Sequence, residues 1–376
     1  EAVMKMSFGN GIGFRGSANI DWYAPREGDI IAELAQPIDG AQCVADVYII
    51  GRTTSDGAVS LGGESVSIKE LLNAWEGIFE GVFPTRTEQS GDVPALSHDS
   101  RPAYARAVKI ARPRAVVFAF PGTNSEIDTE RALRRAGAEA EVLVLRNLTP
   151  QALTESVEAA RAAILRSQII VLPGGFSGGD EPDGSAKFIT AFFRNPAISD
   201  AARELLRTRD GLLLGICNGF QALVKLGLVP YGDIIPPEEN AYTLTYNVIG
   251  RHQAKYVYTR VASVASPWML KSNVGDVYAL PISHGEGRFA APESAVDSLA
   301  ARGLIATQYT DLCGAPSMDI AINPNGSRLA VEGLFSPDGR VFGKMGHSER
   351  RGSYVAKNIA GEKHQPIFES GVYYYK

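Results

Sequence analysis

The stretch G-L-L-L-G-I-C-N-G-F-Q-A-L-V-K-L-G-L-V-P, residues 211–230, decides the fold of this chain. Its apolar run Leu212–Ile216 has the length and composition of a strand that is buried on both faces. Apolar residues at helical spacing follow, and Gly227 and Pro230 mark the end of the predicted helix. Cys217 therefore lies on a sharp turn between a buried strand and a helix.

A cysteine on such a turn has two interpretations. The dipole and the free N–H groups at the helix N-terminus favour the thiolate, which is the nucleophilic form of Cys217. An unperturbed thiol would be only about 3% ionised at pH 7, so this placement matters for a nucleophile. Alternatively, Cys217 is a small buried apolar residue at the end of a strand. The turn alone leaves both interpretations open.

Around this stretch, apolar runs alternate with helical patterns from Arg114 onward. Strands are predicted at residues 115–120, 141–146 and 168–173. Residues 121–137 are predicted to be a loop, a helix and its glycine stop, and residues 149–164 a helix. Buried runs separated by helices predict an α/β fold with a doubly wound, mostly parallel sheet, and the sequence becomes richer in β patterns beyond about residue 240. Ligands bind such sheets beyond the carboxyl ends of the strands, where Cys217 and the glycine-rich loop 173–179 both lie.

The first 86 residues have a different pattern, which predicts a small α+β fragment. It opens directly on a strand-like run and closes with an amphipathic helix at 68–84. The strand-like runs are 6–16, 28–34 and 44–57. A G-x-G-x-x-G motif at 11–16 is followed by a proline and turn residues instead of a helix, which disfavours dinucleotide binding. Residues 87–113, polar and then basic, are predicted to be a linker that is either solvated or in contact with a neighbouring domain.

Composition excludes several functional classes. The 376 residues carry a formal net charge of −5 and no long basic run, so nucleic acid is not an expected partner. No apolar segment approaches the length of a membrane span, and no membrane partner is expected. Three widely spaced cysteines argue against a disulfide scaffold and for a reducing compartment, which predicts a cytoplasmic location. Because the chain starts at Glu1, we expect it to be a piece of a longer polypeptide.

A cysteine nucleophile needs a base and a carboxylate that orients the base. Among five histidines, His347 stands two residues before Glu349 in K-M-G-H-S-E-R. A spacing of two puts both side chains on one side of an extended segment, so Glu349 could hold the imidazole while its other nitrogen faces Cys217. The alternative is an ordinary surface histidine and glutamate in a polar loop.

The loop P-G-G-F-S-G-G-D, from Pro173 to Asp180, follows a predicted strand. It lacks the Lys-Ser/Thr pair of a phosphate-binding loop, so ATP is not its expected ligand. Its glycines allow backbone N–H groups to converge on one point, which suits a developing oxyanion. A flexible loop is the alternative. No cluster in the sequence has the spacing of a metal site.

Together, L-G-I-C-N-G-F-Q, P-G-G-F-S and G-H-S-E-R resemble a class I glutamine amidotransferase, a flavodoxin-like fold. The strings G-T-N-S-E-I-D-T-E, P-I-S-H-G-E-G-R-F and M-G-H-S-E-R-R-G narrow the resemblance to the glutaminase domain of the phosphoribosylformylglycinamidine synthase family, over residues 114–376. Residues 1–86 resemble the end of the synthetase half in the long, fused form of that family. The family often has proline where Ser348 stands here.

The resemblance implies a glutamine-dependent ligase whose glutaminase half-reaction this chain carries. It implies Cys217 as nucleophile, His347 as acid and base, and Glu349 as the residue that orients His347. Further implied roles are the oxyanion hole (Gly175, Asn218) and glutamine binding (Gly174, Phe176, Gln221, His284). The implied partners are glutamine and the synthetase half. No cofactor is expected in this fragment, whereas the full-length enzyme would use ATP and Mg²⁺.

Two other functions remain open at this level. The chain could be a related α/β cysteine hydrolase, although such enzymes often have histidine where Asn218 stands. It could also be a docking module that is silent without its missing half. Cys43 and Cys313 have no partner motif and are expected to be structural. His252 is a candidate contact to the glutamine site or to the synthetase half.

Overall fold

The computed structural model describes residues 1–36, 46–104, 109–179, 185–236 and 241–376. Cys43 and Asp180 lie outside these ranges. The chain divides into two compact units, Glu1–Thr85 and Arg86–Lys376. None of the helices in the described ranges has the length and apolar character needed to cross a membrane.

Where it is described, the first unit contains a four-stranded sheet and two helices. The strands β1 (Gly13–Gly16), β2 (Gly51–Thr54), β3 (Ala58–Leu61) and β4 (Glu64–Ser67) stand in the order β2-β1-β3-β4. The helices are α1 (Ala2–Asn10) and α2 (Ile68–Gly77). Helix α2 begins at Ser67, whose hydroxyl accepts the Glu70 N–H at 3.2 Å, an ordinary N-cap.

The predicted strand-like opening of this unit is wrong, because α1 occupies residues 2–10 and only Gly13–Gly16 is a strand. Alanine, methionine and lysine have high helix propensity, and Lys5 pairs with Glu1 at 2.6 Å one turn away. Residues 28–34 form no strand, and Ile30 is exposed there. Helix α2 also ends at Gly77, earlier than the pattern predicts.

In the described part of the second unit, nine strands form one sheet. They are β5 (Arg114–Ala119), β6 (Glu139–Val144), β7 (Ile169–Leu172), β8 (Leu212–Ile216), β10 (Gln253–Val261), β11 (Val277–His284), β13 (Ile305–Thr310), β14 (Val331–Phe335) and β15 (Val341–Lys344). A separate pair is formed by β9 (Thr243–Tyr246) and β12 (Glu286–Ala290).

The large sheet has a parallel half and an antiparallel half. Its order is β11-β10-β13-β14-β15-β8-β7-β5-β6. The strands from β15 to β6 run parallel to one another, and those from β11 to β15 are antiparallel. The predicted doubly wound α/β fold is therefore confirmed, and the β-rich C-terminal sequence supplies the antiparallel extension.

Helices connect the parallel strands. They are α3 (Glu126–Ala136), α4 (Pro150–Arg166), α5 (Lys187–Phe193), α6 (Pro196–Arg207) and α7 (Asn218–Leu226), and α8 (Leu228–Tyr231), α9 (Glu293–Ala301) and α10 (Ile367–Tyr373) follow. The bounds of α4 follow from its caps, because Thr149 accepts the Ala152 N–H at 3.1 Å and Pro150 starts the first turn. Gly227, at φ 85°, ends α7 as predicted.

Strand β8 lies at the centre of the hydrophobic core and has the predicted bounds. All five of its residues are buried, as are all four of β7. Each fully buried leucine or isoleucine side chain stabilises the fold by about 1.5–3 kcal/mol relative to exposure. Strand β8 pairs in parallel with β7 on one side and β15 on the other, so its carboxyl end emerges between theirs.

The segment predicted to be a linker runs, where described, along the second unit. The Leu96 N–H donates to the Gln308 side chain at 2.8 Å, and the His98 N–H donates to the Ala262 carbonyl at 2.9 Å. Arg101 donates to the Met269 carbonyl at 2.8 Å. This part of the segment is thus held by backbone and side-chain hydrogen bonds.

Candidate active site

Cys217 occupies a strained turn at the carboxyl end of β8. Its φ of 51° and ψ of −105° are rare for a residue with a side chain. Two backbone bonds hold the turn, from the Cys217 N–H to the Lys344 carbonyl at 2.8 Å and from the Gly219 N–H to the Pro173 carbonyl at 3.1 Å. A Cβ at Gly219 would lie 1.9 Å from the Leu172 carbonyl oxygen, so only glycine allows this approach.

His347 and Glu349 follow β15, the strand next to β8. Their Nδ1 and Oε1 atoms lie 2.5 Å apart, and the two side chains are 1% and 0% exposed. The His347 backbone N–H also donates to the Pro281 carbonyl at 2.9 Å. A Cβ built on Gly174 would lie 2.5 Å from His347 Cε1 and 3.4 Å from the Cys217 Cβ. The imidazole and the cysteine therefore converge on Gly174.

The electrostatics of this group favour a charged imidazole. Burial lowers the pKa of His347, but the Glu349 carboxylate and the Cys217 sulfur outweigh it and raise that pKa to about 9. Burial raises the pKa of Glu349, and the neighbouring imidazole outweighs it, so the net shift of that pKa is downward. At neutral pH the two side chains form an imidazolium–carboxylate pair.

His284, at the end of β11, is a buried and neutral histidine. Burial, with smaller effects of His347 and His252, lowers its pKa to about 3. Its Nδ1 lies 3.2 Å from Asn247 Oδ1, which also accepts the Gly287 N–H at 3.3 Å. Because Oδ1 is an acceptor, we assign the imidazole proton to Nδ1. The other nitrogen, Nε2, has no hydrogen-bond partner among the described residues and is an available acceptor.

The glycine-rich loop is fastened to the loop that follows β5. The Asn124 N–H donates to the Gly174 carbonyl at 3.1 Å, and the Phe176 N–H donates to the Gly122 carbonyl at 2.8 Å. Gly175, between these bonds, has a φ of 137°, which a residue with a side chain rarely adopts. This arrangement holds the backbone of Gly174 and Gly175 beside Cys217. The Phe176 side chain is about half exposed.

Asn218 and Gln221 connect the Cys217 turn to its surroundings. Asn218 Oδ1 accepts the Ser177 N–H at 3.1 Å, and its Nδ2 donates to Gln221 Oε1 at 2.9 Å. The amide of Gln221 donates in turn to the Glu286 carbonyl. Both side chains are buried, at 1% and 4% exposure, so they act here as a brace between the glycine loop and β12. Their role toward glutamine remains a prediction.

The structure adds two neighbours that the sequence did not reveal. The Ser283 carbonyl lies 3.8 Å from the Cys217 sulfur, and the Ser283 hydroxyl lies 3.0 Å from His252 Nε2. The second neighbour is Lys344, through its carbonyl. Ser283 directly precedes His284, and Lys344 ends the strand before His347, so proximity to the motifs was the only available signal. Cys313 is exposed and free.

Residues 112–375 match the family model described as the CobB/CobQ-like glutamine amidotransferase domain. The phosphoribosylformylglycinamidine synthase subunit PurQ of Rhodospirillum rubrum is 32% identical over 68% of this chain and 96% of its own length. That of Aquifex aeolicus is 33% identical over 62% of this chain and 89% of its own length.

Among solved structures, the chain is similar to one described as the structure of PurLQS from Thermotoga maritima. The TM-score is 0.50 and the identity 26%, over 70% of this chain and all of the other. The match to the family model, the identity to the PurQ subunits and the fold agree with one another. This chain belongs to the CobB/CobQ-like glutamine amidotransferase family and is PurQ-like within it.

Proposed function

We propose that this chain hydrolyses glutamine and supplies the ammonia for the synthesis of phosphoribosylformylglycinamidine. The observation that carries the proposal is the convergence of Cys217 and the buried His347–Glu349 pair beside Gly174. A nucleophile, an acid and base, and an orienting carboxylate are the groups that acyl transfer requires. The matching family model, described as a glutamine amidotransferase domain, supports glutamine as the amide that is cleaved.

The proposed reaction has two halves. The Cys217 sulfur attacks the carboxamide carbon of glutamine, and the C–N bond breaks as His347 gives its proton to the departing ammonia. This leaves a glutamyl thioester on Cys217. A water molecule, losing a proton to His347, then attacks the thioester carbon, and glutamate departs as the sulfur is released. Glu349 keeps the imidazole oriented through both halves.

Two backbone N–H groups are proposed to stabilise the tetrahedral intermediates. The N–H of Gly175 belongs to the loop beside the nucleophile, and the N–H of Asn218 lies at the N-terminus of α7, where the helix dipole favours negative charge. For glutamine itself, the bare Nε2 of His284 is a suitable acceptor for a substrate N–H group. Gly174, Phe176 and Gln221 complete the proposed glutamine site.

The ammonia would be consumed by a synthetase partner, the half of the enzyme to which we assign the ATP and Mg²⁺ chemistry. The PurLQS neighbour supports such an assembly, because its description names two further components beside the one that matches. We propose that residues 1–86 belong to the synthetase half of a fused enzyme, a glutamine-dependent ligase. A cytoplasmic location fits the sparse cysteines.

The test is glutamate release from glutamine by the chain as it stands. Cys217→Ala and His347→Ala are compared with Cys313→Ala, which removes an exposed thiol and serves as the matched control. We expect the first two variants to lose activity and the control to keep it. If the parent releases no glutamate but Cys217 is labelled by a glutamine-like electrophile, the site is competent and awaits the synthetase half. If the parent shows no turnover and Cys217 is not labelled either, the proposal is refuted.

A further inference from the structure

A buried ion pair lies next to the triad (Cys217, His347 and Glu349). Lys344 Nζ and Glu332 Oε1 are 3.3 Å apart, and both side chains are 0% exposed. The Glu332 carboxylate has two further hydrogen bonds. The Gly346 N–H donates to Oε1 at 2.6 Å, and the Thr307 hydroxyl donates to Oε2. Glu332 is thus fixed in β14 and offers Lys344 a single orientation.

Lys344 contacts both residues that flank His347 and the backbone of Cys217. Its ammonium group donates to the Gly346 carbonyl at 2.9 Å and to the Ser348 hydroxyl at 3.0 Å, and these two residues flank His347 in the chain. Its own carbonyl accepts the Cys217 N–H at 2.8 Å. One residue therefore holds the turn that carries the nucleophile and the loop that carries the base.

The surrounding groups leave this arrangement little freedom. The Ser348 hydroxyl that receives Lys344 donates to Gln365 Oε1 at 2.6 Å, which ties the loop to the C-terminal segment. A Cβ on Gly346 would lie 3.0 Å from Glu332 Oε1 and 3.3 Å from Lys344 Nζ. The loop between β15 and His347 is therefore packed against the ion pair.

Holding strands together does not require such a pair. Removing two charges from water is costly, and a hydrophobic pair of similar volume often stabilises a fold as well or better. Burial lowers the pKa of Lys344, and the carboxylates of Glu332 and Glu349 oppose that effect. What an apolar pair could not supply is directed hydrogen bonding to both residues that flank His347.

We propose that Lys344, held by Glu332, is a positioning residue that keeps His347 aligned with Cys217. This inference rests on the proposed function. Lys344 acts through the loop, not on the substrate. Removing its ammonium should therefore affect the chemical step, which depends on alignment, more than glutamine binding.

A second ion pair, at the opposite end of β15, offers a matched control. Asp210 precedes β8 and pairs with Arg340, which precedes β15. Lys344 ends β15, four residues after Arg340, so the two ion pairs are separated by roughly 13 Å along this strand. The Asp210–Arg340 pair links β8 to β15 at the end of these strands away from His347.

The experiment compares Lys344→Met, Ser348→Ala, their double variant and Arg340→Met. For each variant we measure the melting temperature. Well below that temperature we measure kcat and KM for glutamine and the rate at which iodoacetamide alkylates Cys217.

A misplacement of about 1 Å costs on the order of a hundredfold in rate. We therefore expect Lys344→Met to lose about a hundredfold in kcat with KM nearly unchanged, and Ser348→Ala about tenfold. The double variant should lose less than the product of the two single losses, because both single changes remove the same Lys344–Ser348 hydrogen bond. Arg340→Met should keep the parent kcat.

A loss of kcat in Arg340→Met as large as in Lys344→Met would overturn the proposal, because stability alone would then explain both. Additive losses in the double variant would also overturn it. Alkylation separates this inference from the proposed function, since it requires no glutamine. If the parent releases no glutamate, Lys344→Met must still slow alkylation of Cys217 as His347→Ala does, while Arg340→Met does not. If Cys217 in Lys344→Met is alkylated as fast as in the parent, a positioning role is contradicted. The same holds if His347→Ala does not change the alkylation rate.

Discussion

Nδ1 of His347 and Oε1 of Glu349 lie 2.5 Å apart with almost no exposed surface, although only one residue separates them in the chain. A carboxylate this close fixes the imidazole ring and its proton, and the loop after β15 needs no other element to bring the two together. Any substitution that keeps the shape of Glu349 while removing its charge therefore isolates the electrostatic part of the contact.

Glu349→Gln is such a substitution. An amide at this position can hold the ring in the wrong tautomer and no longer favours the imidazolium, and the equivalent loss in hydrolytic triads costs about 10⁴-fold in kcat. We expect a loss of this order in steady-state glutamate release. Glu369→Gln, which alters a glutamate paired with Arg351 outside the triad, is the control. Equal activity of the two variants would contradict the role of Glu349.

The raised pKa of His347 makes stability depend on pH. The pKa of about 9 exceeds the ordinary value of 6.5, so the stabilisation from the charged imidazole is complete below about pH 6.5 and is lost as the pH rises to about 9. We expect the free energy of unfolding of the parent, relative to His347→Gln, to fall by at most about 3 kcal/mol across this interval. Denaturant titrations at pH 6, 7.5 and 9 measure it, and a difference that is constant with pH would refute the shift.

Gly219→Ala tests the close approach of α7 to β7. The new methyl group would meet the Leu172 carbonyl at 1.9 Å, so helix and strand must separate. Such overpacking costs about 1–3 kcal/mol, and we also expect glutamate release to fall because Cys217 is carried on the same turn. Gly285→Ala, where nothing lies within 4 Å of the added Cβ, should change stability by less than about 0.5 kcal/mol. Chemical denaturation compares the two, and equal losses would contradict the steric explanation.

His284→Ala tests the neutral histidine beside the triad. It removes the Nε2 acceptor proposed for glutamine and leaves Asn247 without one of its partners. One hydrogen bond of this kind contributes about 1–2 kcal/mol, so we expect KM to rise about tenfold and kcat to change less. His364→Ala, which removes a contact to Glu369, is the control. An unchanged KM for glutamine in His284→Ala would exclude His284 from the substrate site.

Local sequence was sufficient to predict the nucleophile turn and the pairing of His347 with Glu349. The bounds of β8 and the end of α7 follow from apolar period and a glycine stop, which are properties of neighbouring residues. The two-residue spacing of His347 and Glu349 likewise needs no knowledge of the rest of the fold. These features are local, so the sequence pattern specifies them.

The Glu332–Lys344 pair could not be predicted in this way. It depends on the register of β14 against β15, in which Gly333 lies opposite Lys344. In two strands joined by a short loop, the register is fixed by the turn type, which the apolar pattern of each strand does not give. The same holds for the Ser283 carbonyl, which reaches Cys217 from a strand in the antiparallel half. Helix α1 was missed because its apolar pattern is weak and its propensity comes from single residues.

The seam between the parallel and antiparallel halves has a consequence for regulation. Cys217 and His347 emerge from neighbouring strands whose ladder pairs Ile216 with Lys344, so neither can shift without breaking central hydrogen bonds. A binding event elsewhere has little leverage on such a rigid pair. We therefore expect a partner to leave the spacing of these two strands unchanged. The seam thus gives Cys217 and the segment that leads to His347 one common, rigid support.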